Sequence, residues 1–447
     1  MVELVQEKDI YRSAFARLEA ESNPVGGSAL ITLRTQAMAR FAELGFPTLR
    51  HEDWRYTNVA RIAKTEFRSA VDCGVDLDER AIVAETFPEA QFHRLVFVNG
   101  FFARDLSSQH GLPKGVQVAS LAETLDDDPS WVERHLARYA SYQDHAFTAL
   151  NTALMEDGAF VYVPKGVIVE QPIHLLYVTM PGVEPIVVHP RNLIIADEAS
   201  QLTIIESYVG LGEGVYFTNA VTEISVGEGA VVDHYKVQRE STQAYHVGTT
   251  QLYQRRSSTA SSHIISIGGD IVRNDINAVL DGEGCDCTLN GLYVPAGKQH
   301  VDNHLRVEHR KPHGNSREHF KGILDDNARG VFTGRIIVHK DAQKTDAKQT
   351  NRNLLLSDSA SVDTKPQLEI LADDVKCTHG ATIGQLDKDA MFYLRARGIS
   401  ADAARSLLVF AFASESIAKI KPQPVRSQVQ QILLERLPQG DQLQGLS

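Results

Sequence analysis

Cysteine is scarce in this chain: there are four in 447 residues, at positions 73, 285, 287 and 377, and no two are spaced Cys-x-x-Cys. That usage excludes a disulfide framework and fits a reducing compartment. Long apolar runs are missing as well. The best stretch, Leu407-Leu-Val-Phe-Ala-Phe-Ala413, falls far short of the roughly 20 residues of a membrane-spanning helix. The first residues, MVELVQEKDI, carry acids and no apolar signal core, so the expected location is cytoplasmic, with no membrane contact. Positive charge is in deficit. A formal net charge of -12 argues against nucleic acid as a main partner, because that affinity rests on clustered Lys and Arg. The richest basic stretch, Arg306 to Lys321, also holds Glu308 and Glu318 and lacks aromatic rings on which bases would stack. No glycine-rich loop ends in Gly-Lys-Ser/Thr; Gly268-Gly-Asp270 and Gly282-Glu-Gly284 both stop short. A nucleotide, if one is used, must bind to another subunit.

Against these absences stand three regions. Residues 1–155 read as mostly helical: Asp9–Glu19 and Ala29–Phe41 space apolar side chains at threes and fours, Gly45 and Pro47 close the second helix, and Ser130–Leu154 is again helical. Within this region His51–Thr57 predicts a packed corner and Arg94–Phe102 a strand with a turn. Residues 156–385 change grammar. Short β-rich runs such as Ala159–Pro164, Ile173–Val178, Leu202–Ile205, Ala230–Val237 and His263–Ile267 recur between small or polar turns. Ala199, Ala230 and Ala260 lie about 30 apart, and Ala328 and Ala360 repeat the interval, which is the mark of a solenoid. With no dense series of Asn-Gly or Asp-Gly hairpin turns, a parallel β-helix is the expected fold, mainly β and flanked by helices at both ends. Residues 386–447 return to helix: Asp387 caps Ala390–Arg397, Gly398 ends it, Ser400 opens a helix to Lys421 with Leu407, Leu408, Ala411 and Phe412 on its apolar side, and Val425–Leu437 follows. This helical end can cap the open solenoid or present a docking surface.

The chemistry concentrates in Asp373-Asp-Val-Lys-Cys-Thr-His-Gly-Ala-Thr382. In a strand the side-chain period is two, so Cys377 and His379 project from one face. A thiolate with an imidazole binds iron, zinc or copper; the bland alternative is a strand with a buried structural cysteine, and a nucleophile with its base is the weaker reading, since no oxyanion-forming loop or helix N-terminus follows immediately. Two donors are not a complete metal site, which favours a site shared across an interface. A metalloenzyme with an intrachain zinc or iron would need Cys285 and Cys287 as further ligands. Those lie about three solenoid turns away, about 14 Å at the inter-strand spacing, and are expected to be small core or corner residues, as is Cys73. His300, His304, His309, His313 and His319 are irregularly spaced among cations, in an expected loop between turns, and read as solvated or turn-packing.

The run Thr364–Gly384, followed by Phe392-Tyr-Leu-Arg-Ala-Arg-Gly-Ile399, resembles the C-terminal signature of the SufB/SufD family, scaffold components of the SUF iron–sulfur cluster assembly machinery, with Cys-Thr-His-Gly-Ala-Thr in the wording of its SufD branch. Ala342–Leu356 and the Trp54-Arg-Tyr-Thr57 corner match the same family, so the resemblance covers nearly the whole chain. It implies a right-handed parallel β-helix and a non-catalytic subunit that pairs with a SufB-like homologue; a homodimer in isolation is left open. It further implies that a SufC-like ATPase docks on the C-terminal helices, making Phe392, Tyr393, Arg397, Leu407, Leu408 and Phe412 candidate contacts. A nascent iron–sulfur cluster or iron would be held transiently and shared with the partner, with His379 the candidate ligand and Cys377 its neighbour. Cys285-Asp-Cys287 has no counterpart in the family pattern.

Overall fold

Alternation of apolar and polar side chains, broken every few residues by a turn, forces each β-rich run of residues 156–385 to bury one face and leave. The chain does this by winding. In the computed structural model, which describes residues 27–70, 79–87, 92–109 and 111–440 together with Tyr11, Ser13, residues 15–18 and Ala90, successive strands alternate between two parallel sheets. The first sheet runs from Ala159–Val163 through Arg191–Ala196, Tyr216–Val226, Tyr245–Gln254, Ile271–Leu280, His300–His309 and Arg329–Val338 to Ser361–Ile370. The second runs from Ile173–Thr179 through Gln201–Gly210, Val231–Arg239, Thr259–Ser266, Asp286–Tyr293, Asn315–Leu324 and Asp346–Leu355 to Lys376–Gly384. Each turn thus adds one strand to each sheet, and the fold is the expected parallel β-helix with helices at both ends.

The repeat is real, but its phase differs from the alanine spacing. Six successive turns, those leading to strands Gln201–Gly210 through Asp346–Leu355, enter the second sheet through one residue in the left-handed region: Ala199, Gly229, Ser257, Gly284, His313 and Lys344, which lie 30, 28, 27, 29 and 31 residues apart. The backbone N–H of each donates to a carbonyl of the following turn, as Ala199 does to Glu228 at 2.8 Å and His313 to Gln343 at 2.9 Å. A small residue follows at the corner itself, in the stack Ser200, Ala230, Ser258, Cys285, Gly314 and Thr345. Ala328 and Ala360 belong to the opposite corner, and Ala260 lies inside a strand, opposite Val232. Inside, the two sheets face each other through Leu202, Ile204, Val232, Ile224, Leu252, Ile276, Leu289, Leu305, Phe320 and Phe332.

The outer faces are covered unevenly. Helices Gly27–Leu44 and Ala146–Leu154 lay Met38, Phe41, Phe147 and Leu150 on Phe217, Tyr245, Val247 and Ile271 of the first sheet. Helix Gly27–Leu44 ends where expected, at Gly45, whose φ is +64°. The expected Asp9–Glu19 helix falls mostly outside the described residues, those described being helical. Ser130–Leu154 is not continuous helix: Pro129–His135 and Ala146–Leu154 are separated by a loop held by Glu223. The Arg94–Phe102 expectation holds, with strand His93–Val98 turning through Asn99-Gly100, both at positive φ, into Phe101–Phe102; His93–Val98 also pairs with the second sheet.

The C-terminal helices do not cap the solenoid. Ala401–Ile417 and Gln423–Glu435 lie along the outer face of the second sheet, packing Val409, Ala413, Ile417, Val425, Val429 and Leu433 against Ile205, Tyr235, Val237, Ile265, Leu292 and Ile323. The physical reason is that this sheet is apolar on both faces over its middle turns, so its outer side needs cover more than its end does. The buried stripe of Ala401–Ile417 is accordingly rotated from the expected one, leaving Ala411 exposed.

The packed corner at His51–Thr57 is borne out. Glu52–Trp54 forms one 3-10 turn, and the Trp54 ring lies 4.1 Å from the Arg273 guanidinium. Arg273 spends four of its five N–H groups: Nε and Nη2 donate to Asp275 Oδ1 at 3.0 and 2.7 Å, and Nη1 donates to Asp302 Oδ2 at 2.6 Å and to the Asp53 carbonyl at 2.7 Å. Lysine keeps the charge but not the fork or the stacking plane. Arg273→Lys is expected to lower stability by about 2 kcal/mol in denaturant titration, and an unchanged midpoint would show that the corner is held by apolar packing alone.

Candidate functional site

The last turn of the solenoid ends in open edges. Strand Lys376–Gly384 pairs with Asp346–Leu355 on one side, and its residues are exposed or half-buried throughout. The matching edge of the first sheet, Ser361–Ile370, contains Pro366, which has no N–H to offer a further strand. The Lys376–Gly384 edge has no proline, and Lys376 is its only Lys, Arg, Asp or Glu. Such an edge is a ready template for strand pairing.

Cys377 and His379 sit on this edge strand, on the face that points into the solenoid. Register places Cys377 at the end of the column Leu202, Val232, Ala260, Cys287, Ser316, Ala347, and His379 at the end of Ile204, His234, Ser262, Leu289, Glu318, Gln349. Cys377 is half-buried against a cluster that includes Ile336, Val338 and Ala347. That burial pushes its thiol up, opposed in part by a backbone hydrogen bond at Ala347, so a metal would have to displace its proton. His379 is exposed. Two donors therefore face the open end, and among the described residues no group of three or more His, Cys, Asp or Glu side chains could hold a metal. The donor set fits half of a site completed from outside.

The other candidates resolve as follows. Cys287 is three steps from Cys377 in its column, through Ser316 and Ala347, as the sequence spacing suggests. Cys285 and Cys287 are both buried in the core, and the Cys285 thiol donates to the Arg255 carbonyl at 3.0 Å. Cys73 lies outside the described residues. The histidine run is not a loop, because register with neighbouring strands draws it into the sheets. His300, His304 and His309 lie on strand His300–His309 and His319 on Asn315–Leu324, while His313 is a corner residue. His300 Nε2 meets Thr57 Oγ1 at 2.9 Å and His309 Nε2 meets Ser316 Oγ at 2.9 Å, and burial pulls His309 down to about 4, so it packs as a neutral ring.

Of the candidate docking residues, Phe392 and Tyr393 on helix Lys388–Ala396 are 75% and 57% exposed, and Arg397 donates to the Tyr393 hydroxyl at 2.8 Å. Asp387 caps this helix by accepting from the N–H groups of Asp389 and Ala390. Leu407, Leu408 and Phe412 are half-buried, and Phe412 faces the solenoid, packed against the second sheet's outer cluster with its ring 4.5 Å from Lys321 Nζ. A cleft of about 600 Å³ beside these helices is floored by Val294, Ile323, Leu356 and Leu433. It contains no Cys or His and offers no soft donor.

Reading the sequence alone did not single out Glu318 or Gln349. Both are buried, and Gln349 Nε2 donates to Glu318 Oε2 at 2.6 Å. Burial lifts the Glu318 carboxyl to about 7, against the opposing hydrogen bond from Gln349. Only strand register, which no local pattern supplies, aligns them behind His379.

Residues 179–412 match the family "SUF system FeS cluster assembly, SufBD core domain", and residues 5–175 match "SufBD protein N-terminal region". The chain is 36% identical to an iron–sulfur cluster assembly SufBD family protein of Synechocystis, over 88% of each chain. It is 32% identical to the iron–sulfur cluster assembly protein SufD of Escherichia coli, over 91% of this chain and 92% of that one. It is also 26% identical to SufB of Bacillus subtilis, over 67% of this chain and 64% of that one. Among the described residues no helix is long and apolar enough to cross a membrane. The chain belongs to the SUF-system SufBD family of iron–sulfur cluster assembly proteins.

Proposed function

We propose that this chain is a SufD-like scaffold subunit, without catalysis of its own, whose open edge strand pairs with a SufB-like homologue and whose C-terminal helical region docks a SufC-like ATPase. The open Lys376–Gly384 edge carries this reading, because it presents unpaired backbone groups and two soft or borderline donors at one place. Iron or a nascent cluster is the cargo. His379 supplies an imidazole and Cys377, once deprotonated, a thiolate, while the homologue supplies the remaining donors. Exposed Phe392 and Tyr393 suit an aromatic anchor for the ATPase. The three described cysteines are all free thiols, in keeping with a cytoplasmic setting. The same edge, on two copies, would support a homodimer when the homologue is scarce.

The test is co-expression with SufB-like and SufC-like chains, followed by His379→Ala. The expected result is unchanged co-purification with cluster content reduced tenfold or more, read by iron and sulfide analysis. Full cluster content in the variant sinks the ligand role. Stoichiometric iron or zinc on the isolated wild-type chain would favour the rival reading, an enzyme with its own metal.

A further inference from the structure

Gln349 stands between Glu318 and His379 in one inward-facing column. Its amide reaches across the solenoid to Gly334 of the first sheet, where a Cβ would fall 2.2 Å from Gln349 Nε2 and 2.9 Å from Oε1. Gly334 has an ordinary backbone conformation, so this glycine makes room for the amide and not for a turn. Nε2 is committed to Glu318. Oε1 is buried and finds no hydrogen-bond partner among the described residues. A buried acceptor without a donor is costly, and the next side chain in the column is an imidazole, whose ring carries N–H.

We propose that Gln349 is a positioning residue for His379: the exposed ring, which does not touch Oε1 in this structure, turns inward so that one ring nitrogen donates to Oε1 and the other is left aimed at the open edge, while Glu318 fixes which end of the amide faces the ring. Without the carboxylate the amide is free to flip and present N–H to N–H. The arrangement is the usual support of a ligating histidine, whose second nitrogen is held by an acceptor that sets tautomer and ring angle. This inference rests on His379 being a ligand, as proposed above.

The test uses the full-length chain labelled with 15N-histidine, in which the His379 ring nitrogens are assigned by comparison with His379→Ala. One tautomer is expected to dominate in the wild type. Gln349→Leu is expected to move the ring toward the tautomer mixture of free imidazole, and Gln349→Glu, which keeps an acceptor, is expected to restore the bias. Gln349→Met replaces the leucine variant if that fails to fold. In the complex with the SufB-like homologue, Gln349→Leu is expected to lower iron affinity 10–100-fold. An unchanged His379 ring spectrum in Gln349→Leu overturns the positioning role, even where His379→Ala still loses iron. A shifted spectrum with unchanged iron affinity upholds the hydrogen bond and sinks the ligand role of His379 instead.

Discussion

Replacing Glu223 with alanine is expected to destabilise the folded chain by about 3–5 kcal/mol, the cost of stranding a buried charge. Glu223 and Arg191 both have side chains that are 0% exposed, and Arg191 Nη2 donates to Glu223 Oε1 at 2.5 Å. Arg191 Nη1 donates to helix Ala146–Leu154, through Asn151 Oδ1 at 3.1 Å and Thr152 Oγ1 at 3.0 Å, while Nε is buried and finds no hydrogen-bond partner among the described residues. The carboxylate does more than neutralise it. Its two oxygens accept from the N–H groups of Ala137, Tyr139 and Ala140 at 2.8, 2.8 and 2.9 Å, pinning a loop that includes Ala137 at a φ of +57°. Alanine removes the counter-charge and frees all three donors at once. Glu223→Gln keeps an acceptor oxygen and should lose less. Urea titration of both variants checks this, and an alanine variant within about 1 kcal/mol of wild type would mean that the loop and Arg191 are held by other contacts.

Glu318→Gln is expected to act in the opposite direction and only at higher pH. The folded-state carboxyl titrates at about 7 against an ordinary value of 4.5, so between these values the folded chain binds more protons than the unfolded one. The slope of unfolding free energy with pH follows unfolded minus folded protons. It is therefore negative in this window: the wild type loses stability as pH rises from about 4.5 to about 7 and is level on either side. The total is up to about 3 kcal/mol at 1.36 kcal/mol per pH unit. Glutamine removes that loss. The variant should match wild type near the acid end of the window and exceed it by roughly 1–3 kcal/mol above its upper end. Comparing the two proteins at both pH values cancels the other titrating groups. Parallel pH profiles would show that Glu318 reaches solvent or a cation in solution.

These two sites mark where sequence reading stops. Apolar alternation and a 30-residue interval disclosed a solenoid, because both are local. The corner that sets the phase is occupied by Ala, Gly, Ser, Gly, His and Lys in turn. It recurs as a backbone conformation and not as a residue type, so composition hid it. The lateral seat of the C-terminal helices was hidden for a related reason: Ile205, Tyr235, Val237 and Ile265 read simply as parts of buried strands, and nothing in a strand's spelling says what covers its second face. At the site, a period of two was enough to bring Cys377 and His379 to one side. Aligning Glu318 and Gln349 with His379 requires the pairing of three strands separated by some 30 residues each, and bringing Arg191 to Glu223 requires the pairing of two.

Winding also makes the molecule a ruler. Each turn moves the growing edge by about 4.8 Å, so the separation between the helical N-terminal region and the strand bearing His379 is counted in whole coils. A duplicated coil would lengthen that span while preserving which side chains look inward. A single inserted residue within a strand would exchange inside for outside from that point to its end. Reach can therefore be tuned only in discrete steps of about 30 residues, the interval between successive left-handed corners.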